Sequence, residues 1–470
     1  MNRHLKALFN PASVAIVGAS NDTRKYGNWL SVQALRGEHR RVVHLVNRKG
    51  EAVLGHATVK SLADIAGGAE LVVIATPAAS FEQTIDDALQ AGARAIVGVT
   101  AGFAELGPEG KAVQDRVAKR VRASGAVLLG PNCLGMLDST SELSLAITNM
   151  PAGGVSLLSQ SGNMAIELGE FLAARGLGFA RFASLGNQAD LCAADLIRDC
   201  ATHEGTKLIA LYCEDFRDGR DFVAAATEAR RNGKPVVLLT VGGSAASIRG
   251  AKSHTGALTS GTAVVDAACR AAGIYRVSSL RELADVAAVL LNFGMRPVKS
   301  VAIFADGGGH AGVGSDIVEA AGLTVPEFSA VTQGALKAEL PPSAGVVNPI
   351  DLAGAGDHDV SVFGRVLDIT LKDPKVDAVL VTGGYGVYSD YGEEMARSED
   401  ATAVHMAQSA KVAGKPLLVH TMWPARKACK VLAEQGVPVF RAVEDAARAL
   451  SVVSRGRGCR AGAERRVPHE

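Results

Sequence analysis

One pattern recurs along this 470-residue chain: a short aliphatic run, then a turn of small residues, then a segment with helical periodicity. Strands that are buried on both faces and connected by helices give this pattern, which is typical of parallel sheets built from βαβ units. The sequence therefore predicts an α/β fold. At about 150 residues per domain, the length allows three domains.

The predicted strands fall into three groups. The first group is Val14–Val17, Val42–Val46, Leu71–Ile74, Ala95–Val99 and Ala126–Leu129; the second is Val155–Leu158, Leu208–Tyr212 and Pro235–Thr240; the third is Val301–Ala305, Ala378–Val381, Leu417–Val419 and Val437–Phe440. We expect three doubly wound parallel-sheet domains over residues 1–145, 146–296 and 297–453, then a disordered basic tail over 454–470. Ligands of such sheets bind beyond the carboxyl ends of the strands.

Composition excludes several other classes of protein. The chain is 48% hydrophobic, which is enough for a folded core, but no apolar run approaches the roughly 18 residues that span a bilayer. With no secretory signal, we expect a cytoplasmic protein without a membrane partner. A net charge of +1 gives no nucleic-acid footprint. Seven cysteines without CxxC spacing indicate neither a disulfide framework nor a metal site.

The turn after the first strand, Gly18-Ala19-Ser20, can present backbone N–H groups and a helix N-terminus to a phosphate. It lacks two glycines of the dinucleotide fingerprint, because Ser20 and Thr23 stand at those positions. The second strand is followed by Asn47-Arg48-Lys49 instead of the acidic residue of an NAD site. The two cations favour a ligand with an extra phosphate, so NADP and coenzyme A both fit, although solvated surface cations give the same pattern.

Three later turns follow strands of the same predicted sheet. They are Thr76-Pro77, the segment Thr100 to Phe103 with Gly102, and Gly130-Pro131-Asn132-Cys133. Because carboxyl ends of parallel strands meet at one edge, we expect these turns to line the same ligand site. Small and polar residues are, however, common in such turns whatever their function.

Three of these segments together resemble a known family. VGAS at Val17–Ser20, VVIATPA at Val72–Ala78 and LGPNCLGM at Leu129–Met136 resemble the CoA-binding domain of the succinyl-CoA synthetase superfamily. From about residue 8 to 453 the chain looks most like the α subunits of NDP-forming, typically ADP-forming, acyl-CoA synthetases. The resemblance implies a Rossmann-like CoA-binding domain followed by two flavodoxin-like domains. It also implies coenzyme A instead of NADP, with Cys133 near the CoA thiol.

His254 stands in the segment SHTGAL, residues 253–258, after a stretch over 242–250 that is rich in glycine and serine. Such a stretch favours a mobile loop with an accessible imidazole. A neutral imidazole is nucleophilic near neutral pH and can carry a phosphoryl group, although most loop histidines are plain surface residues. SHTGAL resembles the phosphohistidine loop of the family, which implies that His254 is the phosphorylated residue.

The segment Ser159-Gln160-Ser161-Gly162 connects a predicted strand to a helical pattern. The N-terminus of a helix flanked by two hydroxyls is a ready anion site. The resemblance implies that Ser159, Ser161 and the Gly162 amide hold the phosphoryl group.

Glu214 follows the predicted strand Leu208–Tyr212, and its carboxylate could orient one ring nitrogen of His254 as the acid of a catalytic triad does. Asp215 is an equal candidate by position, and the resemblance implies Glu214. A further turn, Gly186-Asn187 with Asp190, resembles the family's turn near the acyl-phosphate site.

No GxxxxGK[ST] phosphate loop occurs, and no ATP-grasp domain is recognisable in the sequence. The resemblance therefore implies a separate ATP-grasp β subunit, in a heterotetramer or similar assembly, that binds ATP or ADP with Mg²⁺. The implied reaction converts a small carboxylic acid, CoA and ATP into acyl-CoA, ADP and phosphate through an acyl phosphate.

The third block contains Ala305 to Gly309 and Asn348 to Leu352, which resemble the extra α/β domain of this group. His310, next to the triple glycine, is interpreted as a loop residue. Two other hypotheses remain at this point: a non-catalytic CoA or acyl-CoA-binding regulator, and an NADP-dependent oxidoreductase.

Overall fold

The computed structural model describes residues 5–146, 151–255 and 261–455. The chain forms two compact units. The first comprises the chain up to residue 280 except residues 174–176, and the second comprises those three residues and the chain from 281 onward. No helix in these described ranges is long and apolar enough to cross a membrane.

The first sheet of the first unit has five parallel strands in the order β2-β1-β3-β4-β5, so its switch point lies between β1 and β3. Its strands are β1 (Ser13–Val17), β2 (Val42–Val46), β3 (Leu71–Ile74), β4 (Ala95–Gly98) and β5 (Val127–Leu129), and its helices are α1 (Lys6–Phe9), α2 (Tyr26–Arg36), α3 (Ala78–Gln90) and α4 (Pro108–Ser124). All four residues of β3 and of β4 are buried, as expected for strands covered on both faces.

The second sheet has seven strands in the order β12-β11-β10-β8-β9-β6-β7. Its strands are β6 (Gly135–Asp138), β7 (Leu143–Ala146), β8 (Ala152–Ser159), β9 (Phe179–Ser184), β10 (Leu208–Tyr212), β11 (Val236–Leu239) and β12 (Tyr275–Val277), and its helices are α5 (Gly162–Ala174), α6 (Ala193–Thr202), α7 (Gly219–Arg231), α8 (Ala245–Thr255) and α9 (Thr262–Ala272). Strand β6 runs antiparallel to β7 and β9, whereas the other neighbours are parallel.

Three features of this sheet differ from the sequence prediction. Strands β9 and β12 have no counterpart among the predicted strands. Strands β6 and β7 follow directly after β5, so the chain already enters the second sheet at Gly135. The predicted loop over 242–250 becomes helical from Ala245 onward. Ser244 caps this helix, because its Oγ accepts the N–H of Ser247 at 3.1 Å, and alanines at 245 and 246 favour the helical state.

The two sheets of the first unit share a hydrophobic core. One cluster of buried side chains contains Leu129 from β5, Leu158 from β8 and Leu185 after β9, all fully buried. A second cluster, with Phe81 and Phe103, covers the other face of the first sheet. Because side chains of both sheets pack in one cluster, loops from both can line a common site.

The second unit contains one parallel sheet in the order β14-β13-β15-β16-β17. Its strands are β13 (Val301–Ala305), β14 (Ile350–Asp351), β15 (Ala378–Thr382), β16 (Leu417–His420) and β17 (Val439–Phe440), and its helices are α10 (Leu280–Phe293), α11 (Gly308–Ala320), α12 (Ala330–Glu339), α13 (Val362–Leu371), α14 (Glu393–Ala413), α15 (Lys427–Glu434) and α16 (Val443–Arg455). The expected α/β class with three mostly parallel sheets is confirmed. Helix α16 extends to Arg455, into the segment predicted as a tail, and the remainder of that segment lies outside the described residues.

Candidate active site

Loops after seven strands of the first unit border one cleft with a volume of about 1200 Å³. Five of these strands form the first sheet, and the other two are β8 and β9. The lining includes most of the predicted site residues: Gly18, Ala19, Ser20, Asn47, Arg48, Lys49, Thr76, Pro77, Thr100, Asn132, Cys133, Ser161 and Gly162. In the structure, the turns of the first sheet that were predicted to bind a ligand therefore line the same cleft as the predicted anion site of the second sheet.

Two glycines shape the turn after β1. Gly18 has a φ of 95°, and a Cβ there would lie 2.7 Å from the carbonyl oxygen of Ala75. A Cβ on Gly27 would lie 1.9 Å from the Gly18 carbonyl oxygen, so glycine lets the start of α2 press against the turn. The N–H groups of Gly18 and Ala19 both donate to the carbonyl of Val46. The sequence predicts that these two N–H groups bind a phosphate. In the structure they instead connect the end of β1 to the end of β2.

The end of the cleft beside β2 is basic. Asn47 connects two turns, because its Nδ2 donates to the Ala19 carbonyl and its Oδ1 accepts the Lys49 N–H, each at 2.9 Å. Arg48 and Lys49 are exposed. Lys25 and Lys60 line the same end, and sequence reasoning missed both because neither stands in a strand-end turn. The pattern of charge at this end suits a ligand with several phosphate groups.

The turns after β3 and β4 contribute a hydroxyl that has no partner. Thr100 Oγ1 donates to the Thr76 carbonyl at 2.8 Å, so this side chain joins the two turns. Thr76 Oγ1 is buried and has no hydrogen-bond partner within the described ranges, which is unusual for a buried polar atom. Gly102 does not line the cleft, and its N–H donates to Glu105 Oε1 at 2.6 Å. Gly102 therefore stabilises the loop through this hydrogen bond, whereas the sequence predicts that it contacts the ligand.

The loops after β5 and β9 contact each other where they line the cleft. A Cβ on Gly186 would lie 2.2 Å from the Pro131 carbonyl oxygen, which also accepts the Asn187 N–H at 2.9 Å. Asn132 Nδ2 donates to Asn187 Oδ1 at 3.3 Å. Asp190, from the same predicted turn, does not line the cleft, because its carboxylate accepts from the Arg122 side chain at 2.7 Å and from the Leu128 N–H.

Glu105 supports this part of the cleft from outside its lining. Its carboxylate accepts the Gly102 N–H and the Asn187 Nδ2, each at 2.6 Å. Burial by itself raises the pKa of Glu105, but these N–H donors outweigh it and the pKa lies below its ordinary value. Sequence reasoning missed Glu105, since a carboxylate in a short turn carries no signal of its partners.

Cys133 lines the cleft as a neutral thiol. It is 5% exposed, and its S–H donates to the Gly98 carbonyl at 3.3 Å. Burial raises the pKa of this thiol to about 12, so it is protonated at neutral pH. The environment gives Cys133 a packing role at this position and no nucleophilic character.

Helix α5 brings its N-terminus to the cleft. Ser161 and Gly162 line the cleft, and a Cβ on Gly162 would lie 2.5 Å from Leu134 Cγ, so a larger residue would require the Leu134 side chain to move. The first-turn N–H groups of a helix have no acceptor inside the helix and attract anions. Ser159 is fully buried, and its hydroxyl donates to the Ser161 carbonyl at 2.6 Å. The structure therefore gives Ser159 the task of holding the turn, whereas sequence reasoning had it contact the phosphoryl group.

Glu214 lies in a buried network beside this turn. It is 5% exposed, and its Oε1 accepts the hydroxyl of Tyr212 at 2.9 Å. Burial and the neighbouring carboxylate both raise the pKa of Tyr212, which keeps the phenol a donor. Gln160 Oε1 accepts the N–H groups of Glu214 and Asp215 at 2.8 and 3.0 Å. The side-chain amide of Gln160 thus links the turn before α5 to the loop after β10.

His254 belongs to the last turn of α8, and its side chain lies outside the part of the chain that the structure describes, as do residues 256–258 of the SHTGAL segment. His310, interpreted from the sequence as a loop residue, lies instead in the first turn of α11 in the second unit, where its ring centroid is 6.4 Å from that of His420. Among the described residues, no group of three or more His, Cys, Asp or Glu side chains is arranged to hold a metal ion.

A doubly wound α/β body whose strand-end cleft has a basic end and a helix N-terminus defines a binding protein for an extended anionic ligand. Three family models match the chain: "CoA binding domain" over residues 12–138, "Succinyl-CoA ligase like flavodoxin domain" over 152–290 and "Ligase-CoA domain" over 301–461. The α subunit of acetate–CoA ligase (ADP-forming) II of Pyrococcus furiosus is 31% identical, over 95% of this chain and 96% of the relative. The chain belongs to the α subunits of the ADP-forming acyl-CoA ligases.

Two further comparisons agree with this membership. The acetate–CoA ligase (ADP-forming) I of Archaeoglobus fulgidus is 30% identical over 99% of this chain, which spans 65% of that relative's length. The solved structure of a dinucleotide-forming acetyl-coenzyme A synthetase 1 of Ca. Korarchaeum cryptofilum, in complex with phosphate and ADP, is 26% identical with a TM-score of 0.85. That match covers 97% of each chain.

Proposed function

We propose that this chain is the CoA-binding and phosphohistidine-bearing α subunit of an acyl-CoA synthetase (ADP-forming). One observation carries the proposal: a single cleft is lined both by the basic strand-end turns of the first sheet and by the N-terminus of α5. A CoA-binding regulator needs the first set of residues only, so the second set favours a ligase.

The proposed reaction has three steps. His254 takes a phosphoryl group from ATP, so that an N–P bond forms and ADP leaves. A carboxylate oxygen of the acid attacks this phosphorus, the N–P bond breaks, and an acyl phosphate forms. The sulfur of the CoA thiol then attacks the acyl carbon, the bond from this carbon to the phosphate oxygen breaks, and the thiol proton ends on the phosphate that leaves, which yields acyl-CoA and inorganic phosphate. Each step is reversible.

CoA would lie along the cleft with its phosphorylated adenosine at the basic end, near Arg48 and Lys49. Its thiol would then reach the other end, where Cys133, Asn132 and Ser161 form part of the lining. The cleft suits this ligand because the cations at one end match the phosphates of CoA. At the other end, Cys133, Asn132 and Ser161 are neutral, which suits the uncharged thiol arm. The unpartnered Thr76 hydroxyl is a further group that a bound ligand or water can satisfy.

The phosphoryl group would be held at the start of α5 by the Ser161 side chain and the Gly162 N–H, since both line the cleft at a helix N-terminus. Glu214 would orient the imidazole of His254 so that one ring nitrogen is free to attack. Its burial and its hydrogen bond from Tyr212 support this role, because they fix the carboxylate beside the α5 turn.

A separate ATP-grasp β subunit would supply the ATP or ADP site with Mg²⁺, in a heterotetramer or similar assembly. The support comes from relatives that are named as α subunits and of which this chain covers 96% and 97%. The substrate would be a small carboxylic acid, as acetate is in the names of these relatives. A cytoplasmic location fits the six cysteines of the described residues, which are all free, since disulfides are rare there.

Calorimetric titration of the full chain with CoA, and separately with NADP, tests the first half of the proposal. We expect saturable binding of CoA and none of NADP. Binding of NADP alone would contradict the proposal and favour an oxidoreductase. Binding of CoA without any phosphorylation of His254, in the presence of a competent partner, would instead favour a regulator.

A further inference from the structure

Tyr26 is an aromatic residue in an unusual position. This residue is 53% exposed, yet it lines the cleft, and among the described residues it is the only aromatic residue that does so. Phenylalanine and tyrosine rings of a folded protein usually bury most of their surface, and an exposed ring inside a cleft is available to a ligand. Its hydroxyl has no hydrogen-bond partner within the described ranges.

The backbone that carries this ring is held on both sides. Tyr26 is the first residue of α2, and the following Gly27 packs against the Gly18 carbonyl so tightly that a Cβ would lie 1.9 Å from it. Asn28 is 6% exposed, and its Nδ2 donates to the Ser20 carbonyl at 2.9 Å. The ring therefore projects from a fixed backbone, which lowers the entropic cost of using it to bind a ligand.

The surroundings of Tyr26 are cationic. Arg24 pairs with Asp22 at 3.0 Å and Lys49 with Glu51 at 3.7 Å. Lys25, Arg48 and Lys60 also line this end of the cleft, and none of these three has an ion pair within the described part of the chain. An exposed ring next to several unpaired cations is the combination that binds a base and its phosphates together.

We infer that Tyr26 stacks on the adenine ring of CoA and is thereby the residue that makes the site select the nucleotide-bearing thiol over its pantetheine fragment. This inference rests on the proposed function, because it takes CoA as the ligand. The flat ring supplies contact area to the base, while the neighbouring cations bind the phosphates. Tyr26 acts through the aromatic face, so its hydroxyl is dispensable.

Titration of the full chain with CoA and with 4′-phosphopantetheine, which lacks the adenosine, tests the inference. We expect Tyr26→Ala and Tyr26→Leu to raise the Kd for CoA about tenfold, in line with the contribution of one base–aromatic stack, and to leave the Kd for 4′-phosphopantetheine unchanged. Tyr26→Phe retains the affinity of the wild type. A thermal melt of each variant checks that the fold is intact.

Val42 provides the control. It is 58% exposed and does not line the cleft, so Val42→Ala leaves both affinities unchanged. Equal affinity of wild type and Tyr26→Ala for CoA would overturn the inference, and so would an equal loss for both ligands. If the wild type binds no CoA at all, the proposed function itself fails and the stacking role fails with it.

Discussion

The phenol of Tyr212 donates a 2.9 Å hydrogen bond to Oε1 of Glu214, two residues further along the chain. This contact is buried, and it distinguishes Glu214 from the neighbouring Asp215, whereas the sequence alone gives no reason to prefer either carboxylate. Asp215 is only half-buried, and its carboxylate accepts the Arg217 N–H at 2.8 Å and faces the Arg217 guanidinium at 3.7 Å. Glu214 is therefore the carboxylate with a fixed place beside the α5 turn.

Glu214→Gln is expected to lower the initial rate of His254 phosphorylation by about 100-fold, because an amide no longer stabilises the imidazolium-like state of the attacking ring. Rapid-quench labelling of the complex with its ATP-binding partner measures this rate. Asp215→Asn is the matched control and stays within about twofold of the wild type. Equal losses in the two variants would contradict the assignment of Glu214.

Arg48→Ala combined with Lys49→Ala is expected to weaken CoA binding about fivefold or more, the effect of roughly 1 kcal/mol from exposed charge pairs. The affinity for 3′-dephospho-CoA changes less, since that ligand lacks one phosphate. Calorimetry at two salt concentrations measures the affinity of wild type and variant for both ligands. The loss of CoA affinity in the variant should be smaller at high salt, because salt screens exposed charges. Lys119→Ala, exposed and outside the cleft lining, is the control. Uniform weakening of both ligands would argue against a 3′-phosphate at this end.

Glu105→Gln is expected to destabilise the protein by about 1.5–3 kcal/mol at pH 7, because a charged acceptor of two N–H donors is lost. The pKa of Glu105 lies below its ordinary value of 4.5, so its stabilising effect is present above pH 4.5 and is lost as the pH falls through the lowered pKa. Urea unfolding of wild type and variant from pH 7 downward should therefore give converging midpoints. Glu38→Gln, at an exposed position, is the control. If the difference between the unfolding midpoints of wild type and Glu105→Gln instead grows as the pH falls, this explanation is wrong.

Cys133 is expected to resist iodoacetamide in the native protein at pH 8 and to react in urea, because burial raises the pKa of its thiol to about 12. Mass spectrometry of the peptide reports the modification. Cys133→Ser should still form acyl-CoA, since the thiol has no covalent role in the proposed reaction. Rapid native alkylation, or complete loss of acyl transfer in Cys133→Ser, would show that Cys133 takes part in the chemistry.

Most of the parallel strands were predictable because they are buried aliphatic runs, as in Leu71–Ile74. The parallel strands β9, β12 and β14 were not predicted, because β9 contains Arg181 and Ser184 and the other two have only three and two residues. Strands β6 and β7 were not, because Gly135–Asp138 and Leu143–Ala146 are short and their β-structure depends on pairing with each other and with the distant β9. Helix α8 was predicted as a loop, because glycine and serine at 242–244 hide the capping contact at Ser244.

Within the candidate site, the location of strand-end turns could be predicted, but the use of each polar group could not. Ser159 and Ser161 are indistinguishable in the sequence, yet only Ser161 lines the cleft. Gly102 and Glu105 bond to each other through a loop whose geometry no local pattern encodes. Tyr26 carried no signal, because an aromatic residue at the start of a helix is ordinarily taken as part of the core.

If the CoA-binding turns and the phosphohistidine chemistry share one cleft, the half-reaction that passes through the acyl phosphate should need this chain alone. Incubation of the purified full chain with ³²P-labelled phosphate and a panel of acyl-CoA thioesters, followed by alkaline quench and mass spectrometry, tests it most directly. We expect acid-labile label on His254 that requires an acyl-CoA and disappears in His254→Asn. Wild type that takes up no label in the absence of an ATP-binding partner, or label that persists in His254→Asn, would contradict this expectation.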